Sequence, residues 1–528
     1  MGVVTQGKPF YICNIMSYAE IALPPGVYRS GTERQSRGRW FDSNLVRWYS
    51  GALQPIGGWR QFGSSTMSGR PSSIAVWKDN SDSTQIVVGT HTHLYHSDLG
   101  GNLNDISPSD LQAGYATGTS LVGYGTGAYN GNWGYGLAST QSGSTGILDA
   151  TTWSLDLFGE KVIACSDRDG RLLQWGVSTG TDAAEITAAT LSVTNTVPTS
   201  NQAAVVTAER FVFALGAGGN PRKVQWSDQE DYTVWAPLST NQAGDFELVT
   251  GGRIMTGFRV KEGTMILTTT DAHLASYIGP PFVFSFQEVG RNCGLIGPKA
   301  WVVGDSVAAW MGTENFFLYD GYVKPLTCDV NDFVFSDINT QQRAKIWGMS
   351  VAAYGEFWWF YPSSASNDND RYVMWNSREN TWAVGALDRS AGVDSGITIY
   401  PFMIQYDSTA NTAKIYEHEV GYGYNDIGGS STEATPYVES GPIEMAPGDR
   451  YVHVKKLIPD EKNLGDTRIK FFAKPYPNST ESTHGPYTLT EPTSVRFGGR
   501  EFKMRIEGVQ DAFRIGDFRL DMQPGARR

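Results

Sequence analysis

Residues 161–175 read KVIACSDRDGRLLQW, and the fold can be predicted from the pattern in this stretch. A short apolar run, Lys161-Val162-Ile163-Ala164, is followed by a polar turn that contains Asp169-Gly170. A second short run then ends in Trp175. A nearly continuous apolar run indicates a strand covered on both faces, and Asp-Gly is a dipeptide typical of hairpin turns. The stretch therefore predicts two neighbouring strands inside a buried antiparallel sheet.

The same signature recurs along most of the chain. The second runs end at seven aromatic residues: Tyr95, Trp175, Trp226, Tyr277, Tyr319, Trp375 and Tyr416. The steps between them are 80, 51, 51, 42, 56 and 41 residues, and the first step is long because residues 114–136 form an insertion. Without that step the mean spacing is about 48 residues, and periods of roughly 40–50 residues with several strands each are typical of β-propeller blades.

A physical reason supports this interpretation. A single four-stranded sheet has two apolar faces and two open edges, and stacking such sheets around an axis covers the faces. We therefore predict an all-β protein with a propeller of six or seven blades. The alternative is that the spacing is accidental within a large sandwich.

The composition changes at both ends of this repeat region. Residues 1–66 show no clear periodicity and are predicted to form an extended arm, and residues 67–427 are predicted to form the propeller. A Gly-Gly-Ser-Ser linker begins at Gly428. In the following segment Phe502, Met504 and Ile506 alternate with charged residues, which fits half-buried antiparallel strands. Residues 428–528 are therefore predicted to form a small β-sandwich.

The insertion alternates glycine with aromatic residues and is predicted to project from the propeller. Because such a segment cannot fill a core, its rings need another surface. We expect them to pack against a neighbouring subunit, and a plain surface loop is the alternative. The candidate contact residues are Tyr124, Tyr129, Trp133 and Tyr135.

The arm is locally basic, with six Arg and two acidic residues between Val27 and Arg60. Arg34, Arg37 and Arg39 are followed directly by Trp40. Guanidinium groups bind carboxylates and phosphates and stack on rings. The segment could contact nucleic acid, dock on an acidic partner surface or pack on the chain's own domains. We assign Arg34, Arg37, Arg39 and Trp40 to partner binding.

The overall charge restricts the function. The chain has 42 Lys+Arg and 54 Asp+Glu, a formal charge of −12, which argues against a surface that grips nucleic acid throughout. Its four cysteines have no metal-ligand spacing and are expected to be reduced thiols. We see no signal peptide and no apolar stretch long enough to span a bilayer.

Candidate chemical sites are weak. His91, His93 and His96 offer no complete ligand set for zinc, and Asn367-Asp368-Asn369-Asp370 lacks the spacing of a calcium loop. The motifs of serine hydrolases, nucleotide-binding loops and zinc proteases do not occur. We therefore predict a protein without enzymatic activity, metal or cofactor. A propeller that binds or cleaves glycans stays open, because paired carboxylates meet only in space.

Several stretches, taken together, resemble a known family. They are Leu23–Arg29, Gly38–Asp42, Asn44–Trp48, the insertion at 123–136, Phe357–Pro362, Asp370–Val373, Glu439–Glu444 and Ile515–Asp521. In these stretches the chain resembles the tail nozzle proteins of short-tailed phages, also called tail tubular protein B or tail hub proteins.

The resemblance implies a virion tail protein that is assembled in the host cytoplasm. It implies a homohexameric ring that continues the DNA-ejection channel below the head-to-tail adaptor and helps to dock tail fibres or spikes. DNA would pass through the lumen without specific binding, which suits an acidic chain because like charges repel.

Overall fold

The computed structural model describes residues 18–120, 147–177, 182–304, 306–424, 434–445, 450–463, 466–476, 479–508 and 512–525. Strands dominate these residues. The α-helix is Asn331–Asp337, and short 3-10 helices cover Glu33–Ser36, Ala217–Gly219 and Thr340–Lys345. Within the described residues, no helix has the length and apolar character needed to cross a membrane.

Seven antiparallel sheets in the described part of the chain form the blades. Blade 1 contains Pro71–Lys78, Thr84–Thr90, Leu94–Asp98 and Leu103–Asp105, and blade 2 contains Trp153–Phe158, Lys161–Ser166, Leu173–Trp175 and Ala184–Glu185. Blade 3 contains Ala203–Val206, Val212–Leu215, Lys223–Trp226 and Gly244–Glu247, and blade 4 contains Ile254–Val260, Gly263–Thr268, Ala272–Gly279 and Val283–Gly290. Blade 5 contains Trp301–Gly304, Val307–Met311, Phe316–Tyr319 and Val323–Leu326, and blade 6 contains Trp347–Val351, Glu356–Tyr361, Arg371–Asn376 and Thr381–Ala386. Blade 7 contains Ala391–Val393, Phe402–Asp407 and Thr412–His418, with Trp59–Gln61 as its outer strand and Met67–Ser68 pairing beside it.

The first strand of each blade lies innermost. First strands of successive blades contact each other, and at the junction of blades 4 and 5 the rings of Phe258 and Trp301 stack 4.3 Å apart. Side chains of one blade also cap the inner edge of the next. The Ser72 hydroxyl accepts a hydrogen bond from the Trp153 N–H, and the Asp156 carboxylate accepts one from the Val206 N–H. These contacts occupy N–H groups on the inner edges of blades 2 and 3 that a lone sheet would leave unpaired.

The aromatic repeat of the sequence has a definite place in this fold. Each of its seven residues lies in the third strand of a different blade, from Tyr95 in blade 1 to Tyr416 in blade 7. The predicted fold class is confirmed, and the blade count, predicted as six or seven, is seven. Each sequence repeat forms one blade, and the blades pack together because each sheet covers the apolar face of its neighbour.

A strand from the N-terminal segment closes the ring. Trp59–Gln61 pairs antiparallel with Thr412–His418, with His418 opposite Trp59. Blade 7 is therefore built from both ends of the propeller region. Hydrogen bonds thus join its first and last parts, which restrains the ring from opening between blades 7 and 1.

Two further sheets face each other as a sandwich. One contains Val46–Tyr49, Ala52–Pro55, Arg514–Pro524, Val452–Asn463 and Thr493–Gly499, with Tyr18–Ile21 paired to Arg514–Pro524. The other contains Trp40–Asn44, Tyr437–Ser440, Glu501–Gly508, Thr467–Lys474 and Ser482–Thr488, with Ile443–Glu444 paired to Glu501–Gly508. The rings of Phe471 and Phe497, one from each sheet, stack 4.5 Å apart in the shared core.

The segment 18–66, predicted to be an arm without regular structure, contributes strands to both domains. Trp40–Asn44 and Val46–Tyr49 lie in opposite sheets of the sandwich, whereas Trp59–Gln61 belongs to blade 7. The period-2 and repeat patterns could not reveal Trp40–Asn44 and Trp59–Gln61, because their partners lie hundreds of residues away in the sequence.

Candidate functional site

A buried ion cluster fastens the sandwich to the propeller. Arg47, on the sandwich strand Val46–Tyr49, donates hydrogen bonds to Glu356 of blade 6 at 3.0 Å and to Glu419 at 2.6 Å. Its guanidinium also lies 3.7 Å from the ring centroid of Tyr354. Burial alone would lower the pKa of Arg47, but the two carboxylates raise it above its usual range, whereas burial raises the pKa of Glu356. The charges compensate each other where water is excluded.

Hydrogen bonds continue the contact along the outer edge of blade 6. The Leu45 N–H, on a residue with φ of 54°, donates to the Tyr372 hydroxyl at 2.8 Å. The Ser43 hydroxyl donates to the Val384 carbonyl and accepts from the Val384 N–H. We call this contact between residues 43–47 and blade 6 the joint.

Three of the stretches singled out in the sequence analysis meet at the joint. Asn44–Trp48 supplies Arg47, Phe357–Pro362 adjoins Glu356, and Asp370–Val373 contains Tyr372. Glu439–Glu444 pairs with Gly38–Asp42 in the same sandwich sheet. Three stretches that are far apart in the sequence therefore meet where the sandwich contacts blade 6.

The three arginines of the N-terminal segment lie on the sandwich side of this attachment. Arg34 and Arg37 are exposed and face Glu444, with Arg34 at 3.9 Å. Arg39 is half-buried and contacts Asp329 of the propeller at 3.1 Å. Arg34 and Arg37 are thus placed where a partner could reach them, whereas Arg39 already holds the two domains together.

Trp40 does not fit its predicted role in partner binding. Its side chain is 4% exposed, and its ring centroid lies 6.4 Å from that of Trp48 within the core. Because the strand Trp40–Asn44 pairs with Tyr437–Ser440, the indole points between the sheets. Burying a large aromatic side chain stabilises the folded chain more than leaving it exposed to water would.

The end of the propeller at which the first strands begin is called the upper end. A basic residue precedes the first strand by one or two positions in five blades: Arg70, Arg253, Lys299, Lys345 and Arg389. The seven first strands meet around the axis, so these cations converge near its upper opening. Their periodic placement is visible in the sequence, but the predicted site residues do not include them.

The insertion is rooted across this opening. Thr119–Ser120 pairs with Ile147–Leu148, and we call residues 114–120 and 147–151 the stem. Within it, Asp149 contacts Arg253 of blade 4 at 2.9 Å and Arg343 beside blade 6 at 3.8 Å. The stem therefore bridges opposite sides of the propeller.

Amide groups fix the stem to blade 6. The Gln342 side chain, 1% exposed, donates to the Gly118 carbonyl and accepts from the Gly118 N–H, both at 2.8 Å. A Cβ atom on Gly118 would lie 2.5 Å from the main-chain oxygen of Gln341. Only glycine allows this close approach.

The neighbouring ionisable groups are buried and already paired. Burial lowers the pKa of Lys345 to about 8 and raises that of Asp167 to about 6. Lys345 donates to Asp368 at 2.7 Å, and Thr152 donates to Asp167. The cavity beside Arg70 and Lys345 has a volume of about 10 Å³, which is room for one water molecule and not for a sugar.

The remaining candidate residues from the sequence, the aromatic residues of the insertion and the histidines near blade 1, do not form a common site among the described residues. Tyr124, Tyr129, Trp133 and Tyr135 lie outside the described residues. The histidines of blade 1 diverge: His91 accepts from the Arg70 N–H, whereas His96 contacts Gln85. Among the described residues, no group of three or more His, Cys, Asp or Glu side chains is arranged to hold a metal.

A larger groove opens at the lower end, where the first strands finish. Its volume is about 770 Å³, and it lies between blades 7 and 1. His96, Leu99, Ile399, Tyr400 and Phe402 are among the lining residues. No local pattern in the sequence indicates this groove, because its walls come from distant loops.

These features define a seven-bladed β-propeller that is rigidly joined to a β-sandwich. No protein-family model and no curated protein matches the sequence. Among solved structures, a streptogramin B lyase has a TM-score of 0.38 and 7% identity, covering 68% of this chain and 97% of that one. The WD40 domain of Neurospora crassa Pan2 has a TM-score of 0.37 and 9% identity, covering 68% of this chain and 95% of that one. Neither likeness bears on the function of this chain.

Proposed function

We propose that this chain is a structural component of a short phage tail, where it forms a nozzle ring that continues the DNA-ejection channel below the adaptor. The single observation that carries the proposal is that three of the stretches resembling nozzle proteins, far apart in the sequence, meet at the joint. A ring under load during DNA passage needs its two domains held in one orientation. A buried, hydrogen-bonded ion cluster supplies directional contacts of that kind.

The distribution of charge supports the same role. Residues 67–427 carry 20 Lys+Arg and 37 Asp+Glu, a net charge of −17, whereas residues 1–66 carry +4 and residues 428–528 carry +1. The acidity is therefore concentrated in the propeller. An acidic wall repels DNA phosphates and lets the genome slide, while the nearly neutral sandwich is free for assembly contacts.

In this proposal the passage for DNA lies between copies, not through a single propeller. Within each propeller, Asp156 of blade 2 contacts Arg259 of blade 4 at 2.9 Å. Lys299 of blade 5 reaches Ser73 of blade 1 at 3.4 Å, and the stem bridges the upper opening. A homohexamer around a common channel, attached to an adaptor and to fibres or spikes in the virion tail, is the assembly that we propose.

The test is electron microscopy of the purified full-length chain, alone and mixed with the adaptor ring of the same virion. We expect six-fold rings that stack on the adaptor. Particles that stay monomeric in both samples, with no density added to the adaptor, would contradict the proposal. Release of reducing ends from host polysaccharide by the same preparation would support the glycan-cleaving alternative instead.

A further inference from the structure

We infer that the groove at the lower end of the propeller receives the blade-4 hairpin of a second copy of this chain. The blade-4 hairpin is the turn between strands Ala272–Gly279 and Val283–Gly290. The inference rests on the proposed ring, for which it specifies one contact between neighbouring subunits.

The blade-4 hairpin presents two apolar side chains to solvent. Phe282 is 75% exposed and Ile278 is 55% exposed. The backbone that presents them is strained, since Val283 has φ of 62°, a conformation that β-branched residues rarely adopt. The Val283 side chain itself is buried in the core of blades 3 and 4. Strain of this kind persists where the surrounding structure enforces it, and it often marks a functional element.

The groove offers a matching apolar surface. Exposed aliphatic side chains rim it: Ile399 is 90% exposed, Leu99 56% and Val177 41%. Phe402 lies deeper and is buried. Exposed apolar side chains grouped around a concave surface are typical of a protein contact site.

Charge favours the blade-4 hairpin as the occupant. The charged residues of the groove wall are largely paired among themselves, as Arg60 with Glu417 and Lys78 with Asp82 at 2.7 Å. Residues 276–285 of the hairpin contain no charged residue. Inserting this hairpin therefore buries apolar surface and brings no additional charge into the contact. The acidic surroundings, such as the exposed Asp98, disfavour an anionic lipid surface or nucleic acid.

The placement of the two surfaces suits a ring. Both lie at the lower end of the propeller, because the hairpin turn and the groove loops connect strands at that end. They lie on different sides of the axis, the groove at the seam of blades 7 and 1 and the hairpin on blade 4. One copy can therefore use both at once, which is the heterologous contact that closes a ring.

The first experiment compares ring formation, on the adaptor, of the full-length chain with the variants Phe282→Asp and Val249→Asp. Val249 is 86% exposed and lies at the upper end, so it is the matched control. We expect Phe282→Asp to weaken association by about thirtyfold or more, the size of a central aromatic contact, and Val249→Asp to form normal rings. Both variants should keep the circular dichroism spectrum and melting temperature, because both side chains are exposed.

Cross-linking locates the contact directly. Chains with Phe282→Cys are mixed with chains that carry Ile397→Cys at the groove and are then oxidised. We expect a disulfide-linked dimer that contains one chain of each kind. Normal rings from Phe282→Asp, or no mixed dimer from rings that do form, would overturn the inference and leave the proposed ring intact.

Two further outcomes separate the hypotheses. If the unmodified chain forms no ring but the mixed dimer appears, the contact stands and the proposed function does not. If Ile399→Asp abolishes attachment of a fibre or adaptor while Phe282→Asp rings persist, the groove holds another protein and the inference is wrong.

Discussion

The guanidinium of Arg47 donates to the carboxylate of Glu356 across 3.0 Å, although the two residues are 309 positions apart in the sequence. Their side chains are 1% and 0% exposed. Neither group could stay charged at this depth without the other, since an isolated buried charge costs several kcal/mol or more. This pair therefore fixes which surface of the sandwich meets which blade.

Replacing Arg47 tests that role. Arg47→Met leaves Glu356 and Glu419 without their shared cation, so we expect the free energy of unfolding to fall by about 3–5 kcal/mol. Arg37→Met is the control, because Arg37 is 50% exposed, and it should cost less than about 1 kcal/mol. Urea titration followed by tryptophan fluorescence measures both. If both variants lose the same small amount of unfolding free energy, the Arg47–Glu356 pair does not stabilise the joint.

The raised pKa of Asp167 predicts a dependence of stability on pH. Burial raises its pKa from 3.8 to about 6, so between these values the folded chain keeps a proton that the unfolded chain has lost. The wild-type chain is therefore expected to lose stability as pH rises through this window. Asp167→Asn has no such group, and its stability relative to wild type should rise by about 2 kcal/mol from pH 4 to pH 6.

Urea unfolding at several pH values measures that difference. Thr152→Val is a second check, because Thr152 donates to Asp167 and helps to stabilise its charged form. Its removal should raise the pKa of Asp167 in the folded chain further and extend the window to higher pH. If the difference in the free energy of unfolding between Asp167→Asn and wild type stays constant from pH 4 to pH 7, this role of Asp167 is contradicted.

The attachment of the stem depends on Gly118. In Gly118→Ala the new methyl group would collide with the main-chain oxygen of Gln341, so the stem is expected to detach from blade 6. Amide hydrogen exchange at residues 114–120 should accelerate by about tenfold or more, since this opening would then cost less free energy. Gly251→Ala is the control, because a Cβ atom there has no neighbour within 4 Å. Similar amide exchange rates at residues 114–120 in both variants would show that Gly118 does not hold the stem to blade 6.

The exposed arginines provide a test of docking to the adaptor. The double variant Arg34→Ala with Arg37→Ala removes two guanidinium groups that face only Glu444 within the described residues. We expect stability to change by less than about 1 kcal/mol, because exposed pairs contribute little. The fraction of adaptor rings that carry a nozzle should fall, as counted by electron microscopy. Unchanged attachment would remove these residues from the docking surface.

The stem and the groove show where prediction from sequence ends. Composition identifies the Gly/aromatic insertion but not its attachment to Gln342 and Arg253, since those residues belong to blades far along the chain. The burial of Trp40 in the sandwich core could not be foreseen, because its strand partner, Tyr437–Ser440, cannot be identified from local pattern. The groove has no sequence signature at all.

Local patterns are sufficient to specify the repeating sheets, because apolar runs, turn dipeptides and a closing aromatic recur with each blade. Composition alone likewise establishes that the protein is acidic and rich in aromatic residues. Long-range packing was needed to establish that Trp59–Gln61 completes blade 7, that Arg47 meets Glu356 and that the cations before the first strands converge. Each of these contacts joins residues that are far apart in the sequence, so forming it costs loop-closure entropy. The interactions that offset this cost exist only once the ring of blades has formed.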